Sequence, residues 1–138
     1  MADQTPPIGG VHEAALYVFD LARAERFWRR LGFPIVARME GRHVFFRAGI
    51  DMLLVFDPRA TVQSDSGVRV PSHGAVGASH VALDVPDRDA LERWRGHLAA
   101  AGVEIERELD WPSGGRSIYF RDPDGNSIEL ITRGTWGF

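Results

Sequence analysis

The sequence predicts an α+β domain built from two tandem βαβββ modules, and three observations carry that prediction. First, "EAALYVFDLARAERFWRRL", from Glu13, aligns without a gap on "HVALDVPDRDALERWRGHL", from His80, at a constant offset of 67 (80 − 13). Leu16 meets Leu83, Val18 meets Val85, Asp20 meets Asp87, Glu25 meets Glu92, Phe27 meets Trp94 and Leu31 meets Leu98. Second, the apolar pattern of each copy switches at its Asp from period two to three-and-four spacing, the change from strand to helix. Third, a Gly closes each helical run, and three short strand-like runs follow it.

Module one spans about residues 11–57. Ala14, Leu16 and Val18 alternate with Glu13, Ala15 and Tyr17, as in a strand with one buried face. Asp20 follows as an N-cap, because its short carboxylate can accept from the free amides of a first helical turn. Leu21, Ala24, Phe27, Trp28 and Leu31 then share one helical face and make a core stripe. Gly32 supplies the left-handed stop, and "PIVARME", "HVFFRAG" and "DMLLVF" read as strands. Module two, about 79–133, repeats the scheme. His80, Ala82 and Asp84 oppose Val81, Leu83 and Val85, Asp87 is the N-cap, and Leu91, Trp94, Leu98 and Ala101 form the stripe. Gly102 ends the helix, roughly three residues longer than the first, and "EIERELDW", "SIYFR" and "SIELIT" are the strands. Gly32-Phe33-Pro34-Ile35 pairs with Gly102-Val103-Glu104-Ile105, and Phe46-Arg47 with Phe120-Arg121. The linker, 58–78, is rich in Ser, Gly, Val and Pro and has no period; so long a connection is expected to be mobile, a lid or a crossover to another subunit.

With 138 residues, 44% apolar and 25% charged, the chain suits one domain around one core. A formal charge of −3, with the arginines scattered, leaves no basic field for a phosphate backbone and argues against nucleic acid. The absence of Cys excludes disulfides and thiolate metal sites. "MADQTPPIGG" has neither the basic end nor the apolar run of a signal peptide, and no apolar segment reaches the length of about twenty residues that spans a bilayer. The expectation is a cytoplasmic protein without membrane contact and with a frayed polar N-terminus.

Glu129 stands among Ile128, Leu130 and Ile131, where a carboxylate is costly unless paired, hydrogen-bonded or metal-bound. Its hairpin, "YFRDPDGNSIEL", and the helix "DLARAERFWRRLGF" resemble the vicinal oxygen chelate superfamily, which includes glyoxalase I, bleomycin-resistance proteins, fosfomycin-resistance enzymes and extradiol dioxygenases. The resemblance runs from about Val11 to Thr132. It implies eight strands in a curled mixed sheet around an open cavity, a homodimer, and a divalent metal held from the first strand of each module and the last strand of the second. Those positions are Glu13, His80 and Glu129 here, the last two separated by 49 residues (129 − 80) as in the family. Many relatives carry His at the first position, and Leu54 occupies the place of a fourth ligand found in some.

Three protein ligands leave room for water or a chelating substrate. Two carboxylates and one imidazole suit Zn, Mn, Fe or Ni and bring a divalent ion close to neutrality, so it should acidify bound water less than a two-His site does. The implied catalytic set is Glu129, Tyr119 and Glu13. Tyr119, ten residues before Glu129, is expected to donate to a substrate oxygen, and Ser117, Arg121 and Trp111 complete a substrate-binding set to which Arg47 adds less. His12, His43, His73 and His97 are expected at the surface or in the core, Trp28 and Trp94 in the helical stripes, and Trp136 in packing. "DPDGN" is a turn, since the further acidic ligands of a calcium loop are missing. The resemblance implies a divalent-metal-dependent lyase, isomerase or dioxygenase acting on a small substrate; the alternative is a non-catalytic protein that sequesters a drug or other small molecule.

Overall fold

Both repeats fold where the change of period requires. The computed structural model describes residue 6 and residues 9–63 and 69–138. Module one comprises β1 (Glu13–Tyr17), α1 (Leu21–Arg30), β2 (Ile35–Met39), β3 (His43–Ala48) and β4 (Asp51–Phe56), and the short α2 (Pro58–Thr61) follows it. Module two comprises β5 (His80–Val85), α3 (Arg88–Ala100), β6 (Ile105–Asp110), β7 (Arg116–Arg121) and β8 (Ser127–Thr132). Asp20 accepts from the Arg23 amide at 2.9 Å and Asp87 from the Ala90 amide at 2.8 Å, each cap contributing about 1 kcal/mol. Gly32 and Gly102 take φ of +96° and +74°, the left-handed stop that a side chain resists.

The eight strands form two four-stranded mixed sheets, ordered β1-β4-β3-β2 and β5-β8-β7-β6. β1 runs parallel to β4 and β5 parallel to β8, while the remaining pairs are antiparallel. The duplication also extends to a flaw in the ladder. Register shifts between Ile35 and Ala37 in one sheet and between Ile105 and Arg107 in the other.

One face of each sheet is buried by helices, and a single core joins both modules. Trp28 is fully buried against Phe27, Phe33 and Phe46. Phe27 reaches Phe120 at 6.3 Å between ring centroids and Phe33 reaches Trp94 at 6.2 Å, so aromatic side chains join the modules. His97 Nε2 lies 2.9 Å from the Leu31 carbonyl and ties the end of α3 to the end of α1. The opposite face of each first strand is open, with Glu13, Ala15, His80, Ala82 and Asp84 exposed.

The described parts of the linker lie against module one. Asp57 caps α2 by accepting from the Arg59 amide at 2.9 Å, the His73 amide donates to the Thr61 carbonyl at 3.0 Å, and the Tyr17 hydroxyl meets His73 Nδ1 at 2.7 Å. Residues 64–68, and most of the N-terminal stretch expected to fray, lie outside the described residues. No helix among the described residues is long and apolar enough to cross a membrane.

Candidate functional site

On the open face of module two, register sets the side chains in cross-strand rows. His80, Ser127 and Arg121 make one row; Ala82, Glu129 and Tyr119 the next; Asp84, Ile131 and Ser117 a third. The small Ala82 stands beside Glu129, a residue only 6% exposed. Burial at that level requires partners, and two are present. The Ser117 hydroxyl donates to Glu129 Oε2 at 2.6 Å, and His80 Nε2 lies 3.3 Å from Oε1.

Proton directions follow from what each atom can do. An indole N–H only donates, so the contact of Trp111 Nε1 with Ser117 Oγ at 2.8 Å makes Ser117 the acceptor there and frees its own proton for Glu129. A carbonyl only accepts, so the 3.0 Å contact of His80 Nδ1 with the Ser127 carbonyl places a proton on Nδ1. Nε2 then reaches Glu129 Oε1 as a donor in the imidazolium, and presents its lone pair there in the neutral ring. The Tyr119 ring lies alongside His80, centroids 6.3 Å apart and planes at 23°. Burial, and then the neighbouring Glu129 carboxylate, push the Tyr119 hydroxyl above its ordinary pKa, so it keeps its proton and remains a donor.

Glu13 stands apart from this group. It pairs with Met52 and lines a cleft of about 660 Å³ between the modules, with Val81, Ala82, Leu83, Asp84, Trp94 and Arg133. Neither His80 nor Glu129 lines that cleft, and among the described residues no three His, Asp or Glu side chains are grouped to hold a metal. Arg121 is committed elsewhere: its guanidinium meets Glu106 at 2.7 and 3.2 Å and the Gly125 carbonyl at 3.0 Å. Arg47 Nε donates to the Gly49 carbonyl at 2.9 Å. The structure therefore gathers His80, Ser117, Tyr119, Glu129 and Trp111, and it leaves Glu13, Arg121 and Arg47 outside.

Module one presents a different surface at the matching rows. Ala15, Leu54 and Phe45 stand where module two has Ala82, Glu129 and Tyr119; Tyr17, Phe56 and His43 stand where it has Asp84, Ile131 and Ser117. His43 stacks on Phe45 at 3.9 Å and 11°, and Tyr17 and His73 approach the Phe56 ring at 6.1 and 4.6 Å. Burial, and then the adjacent Arg42, hold the His43 pKa below its usual value. His43 and His73 carry no signal of their own in the sequence, yet the offset of 74 (120 − 46) that pairs Phe46-Arg47 with Phe120-Arg121 also sets Phe45 and His43 opposite Tyr119 and Ser117.

Asn126 does more than shape the β7–β8 turn. Its Oδ1 accepts from the Ser79 amide and hydroxyl, both at 2.8 Å, and its Nδ2 donates to Asp122 at 2.9 Å and to the Tyr17 carbonyl at 3.4 Å. It thus anchors the residue before His80 to the β7–β8 turn and to the end of β1. The signal available was the Asn itself, whose amide offers both an acceptor and donors in a turn.

Residues 10–130 match the family model described as the glyoxalase/bleomycin resistance protein/dioxygenase superfamily. The crystal structure of a lactoylglutathione lyase from Agrobacterium tumefaciens superposes with a TM-score of 0.90 at 38% identity, covering 96% of this chain and all of that one. A catechol-2,3-dioxygenase of Bacillus subtilis (strain 168) is 28% identical over 127 residues, 89% of this chain, which spans only 42% of that protein's length. TioX from a Micromonospora species, 23% identical with a TM-score of 0.69 over 90% of this chain and 98% of its own, shares the fold.

Proposed function

The chain belongs to the glyoxalase/bleomycin resistance protein/dioxygenase superfamily, and from that membership we propose a metal-dependent enzyme acting on a small substrate chelated through two adjacent oxygens. The observation that carries the proposal is the His80–Glu129 pair, two donor atoms already turned toward each other on one sheet. The donor set fits a divalent Zn, Mn, Fe or Ni ion: His80 Nε2 is the free nitrogen of a ring fixed by the Ser127 carbonyl, and Glu129 Oε1 is the free oxygen of a carboxylate fixed by Ser117. When bound, such an ion would polarise the substrate's oxygens as a Lewis acid.

Glu13 is the third ligand of this proposal, contributed by a second copy in a homodimer. Within one chain Asn126 holds the start of β5 beside the end of β1, which sets the starts of the two strands, and so Glu13 and His80, at opposite ends. A second copy facing module two with its own module one brings an exposed Glu13 to the exposed His80. With two carboxylates and one imidazole around it, the ion would be nearly neutralised, so the chemistry would lean on the chain's own groups. Glu129 accepts a proton from a carbon next to a substrate oxygen, and Tyr119 donates a hydrogen bond to that oxygen. This is lyase or isomerase chemistry, in keeping with the full-length likeness to a lactoylglutathione lyase.

The test is metal content after purification without chelator, with a subunit-mixing arm. Wild type should retain a divalent metal, and Glu13→Ala, His80→Ala and Glu129→Ala should each lose it. Mixing Glu13→Ala with His80→Ala should restore one intact site per mixed dimer. Metal retained in the variants refutes the ligand set, and failure of mixing to restore binding refutes its construction across two chains.

The aromatic face of Tyr17, Phe45, Phe56, His43 and His73 favours a second reading, sequestration of a flat molecule without catalysis. Metal absent from wild type and variants alike, together with binding of an aromatic drug at that face, would establish it.

A further inference from the structure

We infer that Trp111 and Ser117 are positioning residues that aim Glu129, rather than groups that touch substrate; the inference rests on the metal-site reading above. Trp111 Nε1 has one hydrogen, and it is spent on Ser117 at 2.8 Å. Ser117 has one hydrogen, spent on Glu129 Oε2 at 2.6 Å, and the residue is wholly buried. Neither side chain has a donor left for a ligand in the cavity.

The order of the two bonds gives the pair its effect. A serine hydroxyl alone can rotate and can act as donor or acceptor. With the indole N–H fixed on its oxygen, the Ser117 hydrogen has one productive direction, toward Glu129. That bond occupies Oε2 and leaves Oε1 as the oxygen facing His80 Nε2. The turn between β6 and β7 holds the indole in place, the Trp111 amide donating to the Gly115 carbonyl at 2.7 Å and the Gly114 amide to the Trp111 carbonyl at 2.9 Å. A turn outside the site thereby governs which carboxylate oxygen is available in it. Ligands oriented by such outer partners lose metal affinity by roughly 10- to 100-fold when the partner is removed.

Two measurements on the full chain test this. The first uses metal-free protein: the indole N–H resonance of Trp111, assigned by its absence in Trp111→Phe, should move in Glu129→Gln as well as in Ser117→Ala. A resonance that ignores Glu129→Gln overturns the relay. The second is titration with Co²⁺, followed by its visible absorption. Ser117→Ala and Trp111→Phe, assayed under conditions where their unfolding curves show them fully folded, should each bind Co²⁺ roughly 10- to 100-fold more weakly with an altered spectrum; Ser117→Thr, which keeps the hydroxyl, should recover most of the affinity. Affinity within about twofold of wild type in both variants overturns the positioning role. If wild type takes up no Co²⁺, the metal reading falls, and the indole resonance alone decides whether Trp111 and Ser117 orient Glu129.

Discussion

Replacing Asn126 by Ala should cost far more than a turn substitution normally does. The side chain is 1% exposed and bridges Ser79, Asp122 and Tyr17. The Ser79 hydroxyl can turn to water, but the Ser79 amide and Asp122 Oδ2 lose partners 2.8 and 2.9 Å away. Two polar groups stranded at about 1–3 kcal/mol each predict a loss of about 2–6 kcal/mol, a large share of the about 5–15 kcal/mol that holds a domain of this size together. Urea unfolding followed by circular dichroism should show a lower midpoint at unchanged slope. Asn126→Asp sharpens the test. It keeps the acceptor for Ser79 but sets a second carboxylate against Asp122, which burial already pushes above the ordinary carboxylate range. The native pair then binds protons more tightly than the unfolded chain, so the deficit should be largest at neutral pH and shrink as pH falls. A loss below about 0.5 kcal/mol for Asn126→Ala, the size of a neutral surface change, would refute the reasoning, as would an Asn126→Asp variant as stable as wild type at neutral pH.

Further outcomes follow from the same contacts. A Cβ at Gly115 would stand 2.8 Å from both Cβ and Cγ2 of Thr135, so Gly115→Ala should destabilise by about 1–3 kcal/mol and release the C-terminal turn; adding Thr135→Gly should recover part of the loss in thermal unfolding. Trp28→Ala empties the centre of the α1 packing and should cost about 3–5 kcal/mol by the same measurement. Because the native His43 pKa is depressed, the unfolded chain binds the extra proton more readily, and this residue's contribution is full above the ordinary His pKa and lost as pH falls below it. His43→Phe should flatten the stability profile on the acid side of neutrality, and an unchanged slope would count against a depressed pKa.

The repeat made the fold legible. Once Glu13 was set on His80, the Asp caps, the helical stripes and the Gly stops appeared twice, and each copy checked the other. The match of Leu54 to Glu129 emerged from the same alignment and agrees with the registers Ala15–Leu54 and Ala82–Glu129. The burial of Glu129 was legible as a demand for partners, and His80 was legible as one of them. Ser117 as the other was not, because it pairs across the ladder with Ile131 and reaches Glu129 diagonally. Trp111 was further from reach: its indole direction is set by the turn at Gly114 and Gly115, not by strand period. The position of Glu13 relative to His80 depends on how the two sheets pack through Phe27, Phe33, Trp94 and Phe120, a relation that pattern within either copy does not encode.

His80, Ser117, Tyr119 and Glu129 all hang from one sheet, and the ring-lined face of Tyr17, Phe45 and Phe56 hangs from the other. On the enzymatic function proposed above, descendants of such a chain could retune what they admit by altering Phe45, Leu54 or Phe56 without disturbing the atoms that would carry out the chemistry. Duplication followed by such a separation of tasks would give selectivity and reactivity independent histories, so that a change in one need not be repaired in the other.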